Sequence, residues 1–233
     1  MIRVASHIHT HFSYDSYLSI VEVLKRAKEE RIDLLIISDH DTIAGSVMAN
    51  KINDTGIIIP IAAEYLTDAG DIIAIFIRDE IKSRRWEDFI CEVHKQGGIT
   101  LLAHPYRAHI LTEDLVRSCD MIETYNARVL PSDNRKAYNL ARRFGKPALS
   151  GIDAHFECEL FRTIVELDFD GDMTECNLKN ALMSSPRRIL TPRGSSMVYV
   201  PLSAVVKIAK TGDILAPLKF ARTVMRTAER SHL

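Results

Sequence analysis

No apolar run in the sequence approaches the ~18 residues that a membrane span requires, which argues against a helical membrane protein. The opening residues, MIRVASHIH, lack the apolar core of a secretory leader, so a cytoplasmic location is expected. Cysteine is scarce. The four residues Cys91, Cys119, Cys158 and Cys176 never fall at a C-x-x-C spacing, which excludes a zinc ribbon and a thioredoxin-type motif. Scattered in a chain of 233 residues, they read as reduced thiols rather than a disulfide framework. An excess of either charge is also missing: 30 Lys and Arg stand against 31 Asp and Glu, for a formal net charge of -1. A protein whose main task is to coat nucleic acid is usually more basic. No internal repeat or low-complexity tract is present. What remains is a composition of 46% hydrophobic and 26% charged residues, which excludes disorder and coiled coil. A chain of this mass buries about 70% of its unfolded surface, so its core needs no staple.

Short apolar runs, several rich in Ile and Val, alternate with amphipathic stretches. The pattern predicts strands over 2–6, 34–38, 57–63, 72–77, 99–103, 121–124, 148–151 and 163–167. It predicts helices over 20–30, 43–51, 86–96, 113–118, 134–144 and 178–183. Ile20, Val23, Leu24 and Ala27 carry the i, i+3, i+4, i+7 stripe of a half-buried helix. Gly97-Gly98 and Gly145 stand where helix C-caps belong. The gap between Glu64 and Ile72 is too short for a helix, so those two strands should form a hairpin. The alternation implies an α/β fold with a mainly parallel sheet or barrel. One boundary is visible, at Thr191-Pro-Arg-Gly-Ser-Ser196. It divides residues 1–190, the expected catalytic domain, from a C-terminal extension, 191–233, with candidate helices at 202–210 and 217–230. On the second of these, Leu218, Ala221, Met225 and Ala228 share one face, and Lys219, Arg222, Arg226 and Arg230 a neighbouring one. The expectation is a helical tail packed on the domain with a solvated basic side; contact with a membrane surface or nucleic acid is the alternative.

The histidines are informative by position. Predicted strands end in His7-Ile-His9 (followed by Asp15), in Ser38-Asp39-His40-Asp41, in Glu64, in His104, in Glu123 and in Asp153-Ala-His155. Parallel strands with helical returns bring their C-terminal ends to one face, which in barrels holds the site. Residues i and i+2 of an extended strand point to the same side, so His7 and His9 can share an ion or reach two adjacent ones, as can Asp153 and His155. The donors are N and O with no thiolate, a set suited to Zn²⁺, Mn²⁺ or Fe²⁺. Eight or nine candidate ligands exceed what one ion accepts; they suit two or three, with a carboxylate such as Glu64 as bridge. Asp41, just before Thr42-Ile43, reads equally well as a helix N-cap.

HIHTHFSYDS, SDHDT, a strand-end Glu, HP, IETYN and DAH, in that order over about two thirds of the chain, resemble the polymerase and histidinol phosphatase (PHP) domain family. The resemblance implies a distorted seven-stranded β/α barrel with a di- or trinuclear metal centre that hydrolyses phosphate esters. It implies that His7, His9, Glu64 and Asp153 hold a first metal, that Glu64 bridges to a second also held by His104, and that Asp15, His40 and His155 hold a third. Glu123 lies in a segment that often adds a ligand to the second metal. Catalytic roles are implied for Glu64, Asp153 and His155. The chain departs from the family pattern where Ile152 replaces a common Ser and Ala62-Ala63 a common Gly; neither change removes a ligand.

Divalent ions at such a site lower the pKa of water and supply a hydroxide that attacks phosphorus. The substrate dianion also needs fixed positive charge, and Arg107, Arg128 and Arg162 are the candidates, all in loops on the expected site face. His11 and His109 are nearby proton donors, whereas His94, inside a helix, and His232, in the tail, read as non-functional. The expected substrate is a phosphorylated small molecule or nucleotide. An exonuclease or phosphodiesterase acting on DNA or RNA ends, a non-phosphate hydrolase and a non-catalytic metal-binding regulatory module are the alternatives. The non-phosphate hydrolase reading is weakened because no Lys, as a carboxylated ligand, sits at a predicted strand end.

Overall fold

The computed structural model describes residues 1–190, 192–196 and 198–215. The candidate helix at 217–230 and its basic face lie outside the described residues, as does His232.

The strands are β1 (Ile2–Ile8), β2 (Leu34–Ile37), β3 (Ala62–Thr67), β4 (Gly70–Ile75), β5 (Ile99–Leu102), β6 (Met121–Asn126), β7 (Ala148–Gly151), β8 (Ile164–Leu167) and β9 (Arg187–Leu190). The helices are α1 (Ile20–Glu29), α2 (Ala44–Ile52), α3 (Trp86–Lys95), α4 (Glu113–Ser118), α5 (Pro131–Phe144), α6 (Glu175–Ser184) and α7 (Tyr199–Thr211). In α1 the residues of the apolar stripe are the buried ones. Pro131 opens α5 three residues before the expected start, since its fixed φ and missing N–H suit a first helical turn. Gly145 ends that helix with a φ of 61°, a conformation that favours glycine.

The strands form two sheets, ordered β2-β1-β8-β9 and β3-β4-β5-β6-β7. Within the first, β1 runs parallel to β2 and antiparallel to β8, and β9 adds an antiparallel edge. Within the second, β3 and β4 make the expected hairpin, and β5, β6 and β7 are parallel. Among the described residues, then, the expected seven-stranded barrel is not a continuously bonded cylinder. The two sheets meet at two seams that carry only isolated bridges. Leu34–Ile58 and His40–Glu64 join the β2 and β3 edges, and Ile8–Ala154 joins β1 to the chain beyond β7.

Side chains alternate across both sheets, as period-2 geometry requires. Ile2, Val4, Leu34 and Ile36 of one sheet meet Ile73, Ile75, Leu101 and Leu149 of the other in a central core. Leu35 and Ile37 face outward onto Val23, Leu24 and Ala27 of α1. Ile72, Ala74 and Leu102 face outward onto Phe89 and Val93 of α3 and Leu115 of α4. Leu178, Ala181 and Leu182 of α6 join the central core. Of the cysteines, Cys119 alone among the four is buried, and burial pushes its thiol up to about 12. No helix among the described residues is long and apolar enough to cross a membrane.

Candidate metal centre

Both seams end in candidate ligands. At one, the end of β1 brings His7 and His9 alongside Asp153 and His155: the His9 N–H donates to the Ala154 carbonyl at 2.9 Å, and the Ile152 N–H to the Ser6 carbonyl at 2.9 Å. At the other, the Asp41 N–H donates to the Glu64 carbonyl at 2.8 Å, placing His40 beside Glu64. Two of these residues, and His104 beyond β5, turn the backbone through the left-handed region, with φ of 62° at His7, 54° at Asp153 and 23° at His104. Such conformations cost about 1–3 kcal/mol each outside glycine and cluster at functional sites.

The side chains converge. Nε2 of His7 lies 3.3 Å from Glu64 Oε1 and 3.8 Å from Asp153 Oδ1. Nε2 of His9 lies 3.5 Å from Glu64 Oε2 and 3.6 Å from the same Asp153 oxygen. His104 Nε2 is 3.2 Å from Glu64 Oε1. At a further corner, Asp15 Oδ2 is 3.2 Å from His155 Nε2 and 3.4 Å from His40 Nε2. The His40 and His155 rings each centre 4.3 Å from that of His9. Three triads, His7–His9–Asp153, His7–Glu64–His104 and His9–His40–His155, offer donor atoms within 4.8 Å of one another.

These contacts are not hydrogen bonds. Nε2 of His7 and of His9 and both carboxylate oxygens of Glu64 are buried without a hydrogen-bond partner. A buried polar atom left unpaired costs about 1–3 kcal/mol. Two donors held ~2.1 Å from a tetrahedral ion stand about 3.4 Å apart, close to the separations around Glu64. The donor set therefore fits divalent cations.

The far side of each imidazole supports the same arrangement. His7 Nδ1 meets Glu123 Oε1 at 2.7 Å. His9 Nδ1 meets the Ser13 hydroxyl at 3.2 Å, and that hydroxyl donates to Asp39 Oδ1 at 2.7 Å. His155 Nδ1 meets the Asp153 carbonyl at 3.0 Å. An Nδ1–H committed in this way leaves the Nε2 lone pair pointing inward. Burial, and then the neighbouring His155 and His40, push His9 well below its ordinary range, which favours the neutral ligand form. Burial disfavours charge on Glu64 as well, yet His7 and His40 hold its carboxyl well below the usual carboxylate range. Burial likewise opposes a charged His7, but Glu64, Glu123 and Asp153 outweigh it and hold His7 well above its ordinary value. The pocket demands positive charge at its centre.

Glu123 stands behind His7 rather than among the inward-facing donors. Its second oxygen accepts the His104 N–H at 2.6 Å and the Asn126 amide at 2.9 Å. A Cβ added to Gly151 would overlap Glu123 Oε1 and lie 3.1 Å from His7 Cβ. Gly151→Ala should therefore cost about 1–3 kcal/mol by overpacking, read as a lowered denaturation midpoint.

The three arginines part company. Arg107 reaches the cluster, with Nη1 donating to Asp153 Oδ2 at 3.0 Å. Arg128 turns away and is buried in a bidentate pair with Glu159, at 2.8 and 2.7 Å, and donates to the Ser203 hydroxyl at 3.0 Å. Arg162 donates to the Cys158 and Gly194 carbonyls at 3.2 and 2.9 Å. Among the spare histidines, His109 is locked between the Arg107 and Asp71 carbonyls, 2.9 and 3.0 Å away. His94 pairs with Asp120 on the surface at 2.8 Å. Asp41 is not the helix cap; Ile43 occupies that position and Asp41 pairs with Arg84 at 3.1 Å. Ser13, Asp39, Asn126 and Glu159 are supporting residues that sequence reasoning did not single out. Ser13 and Asp39 lay within the quoted motifs, but only the fold shows which imidazole they serve.

A family model described as PHP-associated matches residues 131–181, the stretch that carries Asp153 and His155. A two-domain protein of Bacteroides vulgatus, described as containing a predicted PHP-like metal-dependent phosphoesterase, superposes with a TM-score of 0.68 at 17% identity, over 81% of this chain and 64% of that one. In fold, this chain is similar to that PHP-like protein. PsfC of Pseudomonas syringae superposes with a TM-score of 0.65 at 17% identity, over 90% of this chain and 99% of PsfC. An uncharacterised protein of Methanocaldococcus jannaschii is 34% identical over 112 residues. That match takes in 43% of this chain and 66% of the relative, just under two thirds of its length.

Proposed function

We propose that this PHP-like chain is a phosphoesterase that hydrolyses a phosphomonoester of a small molecule or nucleotide. It uses two or three divalent cations, drawn from Zn²⁺, Mn²⁺ and Fe²⁺. The observation that carries the reading is the convergence of buried, unpartnered His7 Nε2, His9 Nε2 and Glu64 oxygens. In this reading His7, His9, Glu64 and Asp153 hold one ion, Glu64 and His104 a second, and Asp15, His40 and His155 a third. When bound, the cations acidify water and neutralise phosphoryl oxygens. The chain supplies the rest. Glu123 and the Ser13–Asp39 pair keep the imidazoles in the productive tautomer and orientation. Arg107, already beside Asp153, is the cation placed to bind a phosphoryl oxygen. Arg128 and Arg162 are occupied by protein partners, so the phosphate-binding role narrows to Arg107. Residues 1–190 form the catalytic unit, with 191–233 as its extension.

The test is to measure bound metals in purified protein and to assay a panel of phosphomonoesters, nucleotides and a labelled oligonucleotide. Turnover of a monoester that vanishes on chelation and returns with metal supports the reading; turnover of the oligonucleotide alone replaces it with a nuclease. Chelation should also lower stability, by about 2.7 kcal/mol relative to protein with metal at 100 times its Kd. A melting temperature indifferent to chelator would count against any ion at the Glu64 cluster.

A further inference from the structure

Helix α7 belongs to the extension, yet its contacts gather at one corner of the centre. Lys210 Nζ donates to three backbone carbonyls, those of His11, Ser13 and Ser16, at 2.7, 2.6 and 2.8 Å. All three ammonium protons are thereby spent on the loop that carries Asp15. Lys207 Nζ sits 3.9 Å from the centre of the Tyr14 ring. That ring stacks on His40, with centroids 4.7 Å apart and planes 6° from parallel. Ser203 accepts from Arg128, whose guanidinium grips Glu159. Glu159 in turn accepts the His155 N–H at 3.0 Å. One helix thus touches a support of each of Asp15, His40 and His155.

We propose that α7 is the positioning element of the Asp15–His40–His155 corner, with Lys210 as its clamp. The loop of residues 11–16 lies outside the regular elements, and its carbonyls have the fixed cation of Lys210 to hold them in register. Release of that cation frees the Asp15 carboxylate from its place beside His40 and His155; of the Glu64 cluster only His9 shares the loop, through Ser13, while His7, Glu64 and His104 keep their own supports in β1, β3 and β6. The inference rests on the metal-centre reading but not on the substrate: a chain that turned over no phosphoester would leave the test below intact.

The test is metal titration of apo protein by calorimetry and elemental analysis, for wild type, Lys210→Met and the reference variant Asp15→Asn. Lys210→Met should have no effect on the ion of Glu64 and His104, a small effect through Ser13 on the ion that His9 would hold, and its largest effect, a weakening of about 10–100-fold, on the same ion that Asp15→Asn removes. Lys207→Met, which loses only the contact with Tyr14, should weaken that ion by a smaller factor and serves as the readout where Lys210→Met does not fold. Wild-type affinity for every ion in a folded variant overturns the proposal. So does a uniform weakening of all ions, which would mark a general structural defect, and so does an Asp15→Asn protein that binds as many ions as wild type.

Discussion

Asp153→Asn should lower kcat on any phosphomonoester the wild type hydrolyses by about 10²–10³-fold, a loss typical for one preorganised electrostatic group. The substitution keeps shape and removes charge. One Asp153 oxygen faces His7 Nε2 and His9 Nε2, and the other is held by Arg107 at 3.0 Å and by Asn126 at 3.3 Å. A carboxylate can neutralise a cation on the first side and satisfy two donors on the second; an amide cannot do both. Burial disfavours the charge, but His7 and Arg107 hold the Asp153 carboxyl well below the usual range, so the native side chain is ionised throughout the neutral range. His7→Ala removes a donor of the same proposed ion and should lose metal as well as turnover. Steady-state kinetics with elemental analysis of each variant checks both. Equal rates in wild type and variants would assign the activity to a contaminant.

The sequence displayed the candidate ligands better than their supports. His7, His9, His40, Glu64, His104, Asp153 and His155 were visible because each ends an apolar run, and strand ends are where period-2 patterning stops. Their convergence required the positive φ at His7, His104 and Asp153, which no pattern of residue types announces. Glu123 has the chemistry of a ligand and the strand position of one; only its distance to His7 Nδ1 shows that it acts from behind. The arginines illustrate the same limit. A loop Arg near a phosphate site and a loop Arg saturated by Glu159 are identical as text, since Glu159 lies in a short 3-10 turn with no periodicity to mark its side chain as buried. Among the strands, β3 begins at Ala62 instead of residue 57 because Pro60 has no N–H to donate, and residues 57–61 follow the seam with a single bridge at Ile58. The strand β9 was missed because Arg187-Arg188 leads it and none of its residues is fully buried. The two-sheet division follows from the seams, where paired strands give way to ligand-bearing turns.

Arg128→Ala should destabilise the protein by about 3–5 kcal/mol, the cost of stranding one partner of a buried ion pair. Glu159 is fully buried, and its oxygens take the guanidinium fork, the Ser195 hydroxyl and the N–H groups of His155 and Phe156. Without Arg128 the carboxylate keeps its neutral donors and loses the one cation that pairs with it among the described residues, in a place water does not reach. For a chain of this size the shift corresponds to roughly 6–20 °C in Tm. Arg128→Lys should rescue little, because a single ammonium cannot reproduce a two-pronged contact. Removing both charges, as in Arg128→Met with Glu159→Gln, should cost less than Arg128→Ala alone, since no uncompensated charge is left inside. Chemical denaturation of the single and double variants measures the coupling. Kinetics on the same proteins separates this role from the phosphate-binding one that the loop position suggested. A substrate-binding Arg128 would raise KM and leave the denaturation midpoint in place, whereas the buried pair with Glu159 predicts a lowered midpoint with KM little changed in the fraction that remains folded.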